Sequence, residues 1–214
     1  MSLLLPPLYP ILDPALSPRP LLELADELAA TGVKLLQLRD KRGTARAVYA
    51  EARRLVERFA PPGVRIIIND RPDIAAMVGA GGVHVGQEDL PVEAARAIVG
   101  ERLWVGVSTH NIEQLRDADA TSADYVAIGP IFPTGTKDNP DPVVGVEFVR
   151  AARRMTRKPL VAIGGITVEF AADVFGAGAD SIAVVRDLLA APEPAERARE
   201  YLEIAASVLP RRAS

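Results

Sequence analysis

The chain of 214 residues contains no cysteine, which excludes disulfide bonds, thiolate catalysis and zinc sites with cysteine ligands. Aromatic residues make up only 5% of the sequence, so a buried core has to be built mainly from Ile, Val, Leu and Ala. The formal net charge of -3 gives no indication of a nucleic-acid partner or of a membrane partner. This composition is typical of a soluble globular protein, and a cytoplasmic location is compatible with it.

The N-terminal segment Met1–Leu12 lacks the features of a targeting signal. It is apolar, but it is interrupted by prolines, has no basic start and is too short to span a bilayer. We expect it to lead into the first strand. The basic segment Pro210–Ser214 is expected to be a frayed tail. No linker or low-complexity tract divides the chain, so one domain over residues 1–214 is predicted.

Short apolar runs alternate with polar or glycine-containing loops and with amphipathic, alanine-rich segments. This alternation predicts parallel strands connected by helices, and eight repeats favour a closed (β/α)8 barrel, the TIM barrel. The predicted strands are Leu8–Leu12, Val33–Arg39, Arg65–Asn69, Gly82–Gly86, Leu103–Val107, Tyr125–Gly129, Leu160–Gly164 and Ser181–Val185. The clearest predicted helices are Pro20–Ala30, Ala45–Phe59, Val92–Val99 and Gly145–Met155.

Nearly every predicted strand ends in polar residues, although a buried parallel strand has no structural need for charge at its end. The C-terminal ends of barrel strands meet at one rim, where TIM-barrel enzymes have their active sites, so these residues are expected to form one site. The long segment Pro130–Val144, with its four prolines, is expected to be a functional loop and a plausible lid.

Two of these strand ends carry aspartates, and three positions near the rim carry cations. Asp70 and Asp89 are candidate ligands of Mg2+, which takes one or two carboxylates and completes its shell with water and phosphate oxygens. Either aspartate alone is more often a helix cap or a surface ion pair, but two at neighbouring strand ends favour a metal site. Arg39, Lys41 and Lys137 are candidate phosphate ligands, because they neutralise an anionic group.

Two other features allow more than one interpretation. The Gly164-Gly165 pair and the turn after Val185 lie in the last two barrel units, where TIM barrels often bind phosphate, but a glycine pair also fits a simple turn. Ser108 and His110 are the residue types of a nucleophile and a base. No acidic residue is placed to orient the histidine, so a hydrogen-bonding role is predicted for Ser108.

His84 belongs to the predicted fourth strand and is surrounded by apolar residues in the sequence. A histidine in such a run is more often structural than catalytic. We therefore predict a structural role for His84.

Six blocks of sequence, in order along the chain, resemble the thiamine-phosphate synthase (thiamine-phosphate pyrophosphorylase) family. The blocks are QLRDK at 37–41, INDRPDIA at 68–75, GVHVGQEDLP at 82–91, GVSTHN at 106–111, DYVAIGPIFPTGTK at 124–137 and AIGGIT at 162–167. Members of that family condense an aminopyrimidine pyrophosphate with a thiazole phosphate, which gives thiamine phosphate and pyrophosphate. The resemblance implies a Mg2+-dependent transferase on a TIM barrel with two phosphorylated small molecules as substrates, and it is compatible with a homo-oligomer.

The resemblance also implies roles for individual residues. The pyrimidine pyrophosphate would be bound by Gln37, Arg39, Lys41, Asn69, Ser108 and Lys137, of which Arg39, Lys41, Ser108 and Lys137 would act in catalysis. Asp70 and Asp89 would bind Mg2+. The thiazole phosphate would be bound by Thr134, Thr136, Gly165, Val185 and Arg186. The family usually has Ser at the position of Arg186, and a guanidinium there either adds a phosphate ligand or blocks the pocket.

Two alternative functions remain open. A thiazole tautomerase is an isomerase of the same superfamily that needs neither Mg2+ nor a pyrophosphate site. That branch typically lacks the Asn-Asp pair at 69–70 and the Thr-x-Thr-Lys segment at 134–137, and this chain has both. A barrel that binds ligands without catalysis would saturate with substrate and release no pyrophosphate.

Overall fold

The computed structural model describes residues 3–59, 63–135 and 141–210. Eight parallel strands form a closed barrel in sequential order, and the last strand pairs with the first. The strands are β1 (Leu8–Leu12), β2 (Leu35–Leu38), β3 (Arg65–Asn69), β4 (Gly82–Val85), β5 (Trp104–Thr109), β6 (Tyr125–Ile128), β7 (Leu160–Ile163) and β8 (Ser181–Val184). The predicted TIM barrel is confirmed.

Helices follow the strands and surround the barrel. They are α1 (Leu21–Ala30), α2 (Ala45–Phe59), α3 (Pro72–Val78), α4 (Val92–Val99), α5 (Ile112–Asp119), α6 (Gly145–Met155), α7 (Val168–Gly176), α8 (Arg186–Leu189) and α9 (Pro194–Val208). The last unit differs from the others because the short α8 is followed by α9, which packs against α7 and α1. No helix within the described ranges is long and apolar enough to cross a membrane.

β1 and β3 have the predicted bounds, and the ends of the other strands differ from the predicted ones by one or two residues. Most strands end slightly earlier than predicted, whereas β5 extends two residues further than the predicted end at Val107. The reason is continued pairing with β6, in which Ser108 pairs with Ala127 and Thr109 with Ile128. Ser108 is therefore held by a strand and not by a loop.

The apolar side chains divide between two cores, as alternation along each strand requires. In β1, Leu8 and Leu12 face the surrounding helices, while Tyr9 and Ile11 face the interior of the barrel. The interior cluster consists of Leu5, Tyr9, Ile11, Leu35, Ile67, Tyr125, Ala127, Val161 and Ala183. These residues fill the N-terminal and middle levels of the barrel, so the space for a ligand lies at the C-terminal rim.

The segment Pro130–Val144 has no helix or strand in its described parts, residues 130–135 and 141–144. This agrees with the long loop predicted from its prolines. Its action as a lid stays a prediction.

Candidate active site

Two adjacent cavities, of about 440 and 640 Å³, open at the C-terminal rim and share several lining residues. The first is lined by the predicted site residues Gln37, Arg39, Asn69, Ser108, Thr134, Gly165, Val185 and Arg186. The second is lined by Arg39, Lys41, Asn69, Asp70, Asp89, Ser108 and Arg186. Thr136 and Lys137 lie outside the described residues. The barrel thus brings together every predicted site residue that the structure describes, and their roles stay predictions.

The two aspartates at the ends of β3 and β4 lie side by side. Burial raises the pKa of Asp70 above its usual range, and the neighbouring carboxyl group of Asp89 adds to the effect, while Lys41 opposes it. The ammonium group of Lys41 lies 2.5 Å from Asp70 Oδ2. Asp89 Oδ2 also accepts a hydrogen bond from the backbone of Gly86 over 2.8 Å.

Asp70 has a backbone conformation that favours glycine. Its φ angle is +60°, and it is the one non-glycine residue with positive φ among those the structure describes. The conformation is fixed by a 2.8 Å hydrogen bond from its N–H to the carbonyl oxygen of His84. Such strain is typical of functional sites, because the surrounding structure has to maintain it. Here it holds the carboxyl group of Asp70 next to that of Asp89.

The donor set of this aspartate pair fits a hard divalent cation. Within the described part of the chain, no group of three or more His, Asp or Glu side chains could hold a metal ion. Two carboxylates are nevertheless enough for Mg2+, whose remaining positions are taken by water and by substrate phosphate. The adjacent carboxylates, with an ammonium group as their present counter-charge, are compatible with such a site.

Arg39, a predicted phosphate ligand, is paired with a residue that sequence reasoning missed. Its Nη1 lies 2.5 Å from Oδ2 of Asp13, a carboxylate that is only 4% exposed. Asp13 follows β1 directly, and the N–H of Arg39 continues the strand pairing by donating to the carbonyl oxygen of Leu12. The pair fixes the guanidinium at the wall between the two cavities, and it neutralises part of its charge.

Ser108 is bonded to a different histidine from the one considered in the sequence. Its Oγ lies 2.9 Å from Nε2 of His84, whereas Nδ1 of His110 bonds to the carbonyl oxygen of Gly129 over 2.6 Å. A structural role was predicted for His84, but its side chain also lines both cavities and therefore belongs to the candidate site. Its Nδ1 lies 3.1 Å from the hydroxyl of Tyr125, a phenol and not a carboxylate. This arrangement supports the hydrogen-bonding role predicted for Ser108.

The Gly164-Gly165 pair is required by the backbone and by close packing. Both residues have positive φ, and a Cβ on Gly165 would lie 2.4 Å from the carbonyl oxygen of Pro133. The pair therefore forms the turn after β7 and lets the loop after β6 lie directly on it. Both glycines also line the first cavity. A simple turn and a phosphate-binding position are therefore compatible interpretations of the pair.

Arg186 reaches across the mouth of the cavities. Its Nη2 donates a 2.7 Å hydrogen bond to the carbonyl oxygen of Gly135 in the loop after β6. At the other described end of that loop, Asp141 Oδ2 lies 3.4 Å from His110 Nε2, so the expectation that no acidic residue is placed to orient this histidine is wrong. Arg186 thus lines both cavities while it contacts the loop that forms their outer wall.

The protein is a closed parallel barrel, and its C-terminal rim combines paired carboxylates, cationic side chains and an apolar floor. These features place it in the class of TIM-barrel enzymes. Comparison with known proteins is more specific. The model of a family described as thiamine monophosphate synthase matches residues 8–188. The chain belongs to this family, which confirms the resemblance found in the six sequence blocks.

Individual relatives match over nearly their whole length. A thiamine-phosphate synthase of Koribacter versatilis (strain Ellin345) is 53% identical over 208 residues, which cover 95% of this chain and 97% of that protein. A thiamine-phosphate synthase of Methanospirillum hungatei JF-1 is 40% identical over 198 residues, covering 92% of this chain and 96% of that protein.

Solved structures agree with these sequence matches. The thiamine phosphate pyrophosphorylase from Pyrococcus furiosus superposes with a TM-score of 0.84 at 32% identity, covering 95% of this chain and 97% of that one. A structure described as native KDPGal superposes with a TM-score of 0.75 at 17% identity, with 98% of this chain and 99% of that one covered. The latter likeness shows the barrel fold alone.

Proposed function

We propose that this chain is a thiamine-phosphate synthase, which joins an aminopyrimidine pyrophosphate to a thiazole phosphate and releases pyrophosphate. The observation that carries the proposal is the pair of adjacent cavities at one rim. The more polar one contains Lys41, Asp70 and Asp89, whereas the other has apolar walls such as Ile11 and Val161. A reaction between two phosphorylated rings needs both surroundings side by side.

The proposal includes Mg2+ as cofactor, held by Asp70 and Asp89. When bound, the cation would stabilise the negative charge that develops on the departing pyrophosphate. Two carboxylates leave most of its coordination positions to water and phosphate oxygens. The contact between the two carboxyl groups supports this assignment, because an adjacent pair of anions favours a divalent counter-ion.

The proposed ligands of the pyrimidine pyrophosphate are the polar and cationic residues that the family resemblance implies. They are Gln37, Arg39, Lys41, Asn69, Ser108 and Lys137, of which Arg39, Lys41, Ser108 and Lys137 are proposed to act in catalysis. Arg39 offers a planar fork of donors and Lys41 a mobile point charge, so the two bind different parts of an anionic group. Their positions support this assignment, since each member of this set that the structure describes lines at least one of the two cavities.

The proposed reaction is a dissociative substitution at the methylene carbon of the pyrimidine. The bond from this carbon to the pyrophosphate oxygen breaks, and its electron pair leaves with pyrophosphate. The lone pair of the thiazole nitrogen then forms the new carbon–nitrogen bond. Protein side chains need only position the substrates and stabilise charge, which explains a site that is rich in anion ligands. The apolar walls exclude water, which would otherwise capture the pyrimidine cation.

The thiazole phosphate is proposed to bind at Thr134, Thr136, Gly165, Val185 and Arg186, whose described members all line the first cavity. The positive-φ turn at Gly165 lies next to the loop that carries Thr134. Arg186 adds a guanidinium where the family usually has a serine. Its present partner is a neutral carbonyl oxygen, and a phosphate would be a stronger acceptor for the same N–H groups.

The decisive experiment is an assay of pyrophosphate release with both substrates, with and without Mg2+. We expect release only when pyrimidine pyrophosphate, thiazole phosphate and Mg2+ are all present. A tautomerase would convert its thiazole substrate without the pyrimidine compound, and a binding protein would saturate without releasing pyrophosphate. Either result would contradict the proposed function.

A further inference from the structure

Five polar side chains form a continuous hydrogen-bonded chain across the interior of the barrel, here called the lumen chain. Gln37 Nε2 donates to Tyr9 Oη over 2.8 Å, and the hydroxyl oxygens of Tyr9 and Tyr125 are 3.1 Å apart. Tyr125 Oη lies 3.1 Å from Nδ1 of His84, whose Nε2 lies 2.9 Å from Ser108 Oγ. The lumen chain therefore connects one predicted pyrophosphate ligand on β2 with another on β5.

The tyrosines in the middle of the lumen chain are firmly held. Tyr9 is 1% exposed and Tyr125 is fully buried. The ring of His84 stacks on that of Tyr125 with centroids 5.6 Å apart, and the ring of Tyr9 meets Tyr125 edge-on at 6.2 Å. Both hydroxyls therefore depend on their partners in the chain, because burial excludes bulk water as a substitute.

The number of available protons gives the lumen chain a direction. Burial raises the pKa of both tyrosines, so each phenol stays neutral and has one proton to donate. Because Tyr9 Oη accepts from Gln37, its own proton has a partner in the chain only when it is donated to Tyr125 Oη. Tyr125 Oη is then an acceptor, and its own proton has a partner in the chain when Nδ1 of His84 accepts it.

The direction continues through the imidazole ring. A ring nitrogen that accepts a hydrogen bond carries no proton, so in this direction of the chain a neutral His84 would carry its proton on Nε2. Nε2 lies 2.9 Å from Ser108 Oγ and would donate that proton to it. The hydroxyl hydrogen of Ser108 then points away from His84, and Ser108 lines both cavities.

We propose that the lumen chain fixes Ser108 as a hydrogen-bond donor to a phosphate oxygen of the pyrimidine pyrophosphate, with Tyr9, Tyr125 and His84 as positioning residues. The inference rests on the proposed function for the identity of the ligand. A pyrophosphate offers only acceptors to the protein, so the orientation of this hydroxyl decides whether Ser108 attracts or repels it. In the reversed chain, Ser108 would donate to His84 and present only lone pairs to the ligand.

The direction of the chain can be measured without any substrate. The protein has two histidines, and nitrogen NMR of a histidine-labelled sample distinguishes protonated from bare ring nitrogens. We expect His84 to carry its proton on Nε2, and a His84→Gln variant assigns its signals. His110, whose Nδ1 donates to a carbonyl oxygen, is an internal reference for a protonated Nδ1. A proton on Nδ1 of His84 would overturn the proposal whether or not the protein is a synthase.

The action of the chain through Ser108 can be tested with a double-mutant cycle on kcat/KM. Tyr125→Phe keeps the ring and should lower kcat/KM about tenfold, the loss typical of one hydrogen bond. Because Tyr125 acts through Ser108, the double variant with Ser108→Ala should be no slower than Ser108→Ala alone. Additive losses would show that Tyr125 has an independent, merely structural role and would overturn the proposal.

A matched control comes from β5, the strand that carries Ser108. Thr109 is buried, and its Oγ1 donates to the carbonyl oxygen of Ala127 over 3.1 Å, outside the lumen chain. Thr109→Val therefore also removes one buried hydrogen bond, but its effects should be additive with those of Ser108→Ala. Absence of turnover in the unmodified protein would contradict the proposed function alone, and the cycle would then be measured on binding of the pyrimidine pyrophosphate by calorimetry.

Discussion

The ammonium group of Lys41 lies 2.5 Å from the carboxylate of Asp70, so a proposed pyrophosphate ligand and a proposed metal ligand form an ion pair with each other. The lysine side chain is half exposed and the aspartate is largely buried, which makes Lys41 the more mobile partner. A divalent cation at the aspartate pair would compete with Lys41 for Asp70. The same competition would leave the ammonium group available to the pyrophosphate, so metal and substrate binding are expected to be coupled.

Lys41→Met is expected to have opposite effects on the two ligands. Without the competing ammonium group, Mg2+ alone should bind more tightly, by roughly fivefold if the lost repulsion is about 1 kcal/mol, as for charges 4 Å apart in water-like surroundings. The KM of the pyrimidine pyrophosphate should rise, because one of its cationic ligands is lost. Calorimetric titration with Mg2+ and steady-state kinetics measure the two effects. Lys34→Met, on the exposed residue just before β2, is the control and should change neither.

Asp70→Asn is expected to weaken Mg2+ binding at least tenfold, on the order of the losses seen when a metal site loses a supporting carboxylate. Calorimetry in the presence of pyrophosphate measures this affinity directly, independently of turnover. The control is Asp73→Asn, three residues further on, because Asp73 is exposed and its carboxylate pairs with Arg71. Equal affinity for Mg2+ in Asp70→Asn and the unmodified protein would exclude Asp70 as a ligand.

The barrel and the composition of its rim could be predicted because both depend on local patterns. Eight alternations of apolar runs and amphipathic segments are visible in the sequence, and polar residues at strand ends need no knowledge of pairing. Asp13 escaped this reasoning because a single aspartate before Pro14 is typical of a turn. Only the pairing of β1 with β2 places it against Arg39, 26 positions away in the chain.

The lumen chain could not be predicted for a different reason. Tyr9 and Tyr125 occur in strands that are buried on both faces, so no polar alternation distinguishes the inner face from the outer one. His84 has the same problem, and its partners are determined by strand register. The sequence did contain one signal, the glycine at position 106 in the middle of β5. It could not be interpreted alone, because only the register of the barrel shows that Gly106 pairs with Tyr125.

Arg186→Ser, which restores the usual residue of the family, tests the thiazole phosphate site. The substitution removes a guanidinium whose N–H groups lie at the cavity mouth, so the KM of thiazole phosphate should rise about tenfold, the equivalent of one charged hydrogen bond. The KM of pyrimidine pyrophosphate should not change. Arg150→Ser on α6, where the arginine pairs with Glu147, is the control for the loss of a surface arginine. A lower KM of thiazole phosphate in Arg186→Ser would show instead that the arginine obstructs the pocket.

Gly106→Ala tests whether the interior of the barrel depends on space for one tyrosine. A Cβ at this position would lie 2.0 Å from Cζ and 2.4 Å from Oη of Tyr125, so the ring and its hydroxyl have to move. We expect the free energy of unfolding to fall by about 1–3 kcal/mol, the usual cost of overpacking a core. The loss of activity should match that of Tyr125→Phe, since both changes interrupt the hydrogen bond to His84.

Urea unfolding and steady-state kinetics measure these two effects of Gly106→Ala, and Gly176→Ala provides the comparison. A Cβ on Gly176, at the end of α7, would meet no atom within 4 Å, so this alanine should stabilise the helix by up to about 1 kcal/mol and leave activity unchanged. If Gly106→Ala kept both its stability and its kcat/KM, the position of Tyr125 would be unimportant for Ser108. If Gly106→Ala lost stability but kept its kcat/KM, the orientation of the Ser108 hydroxyl would not depend on the packing of the barrel interior.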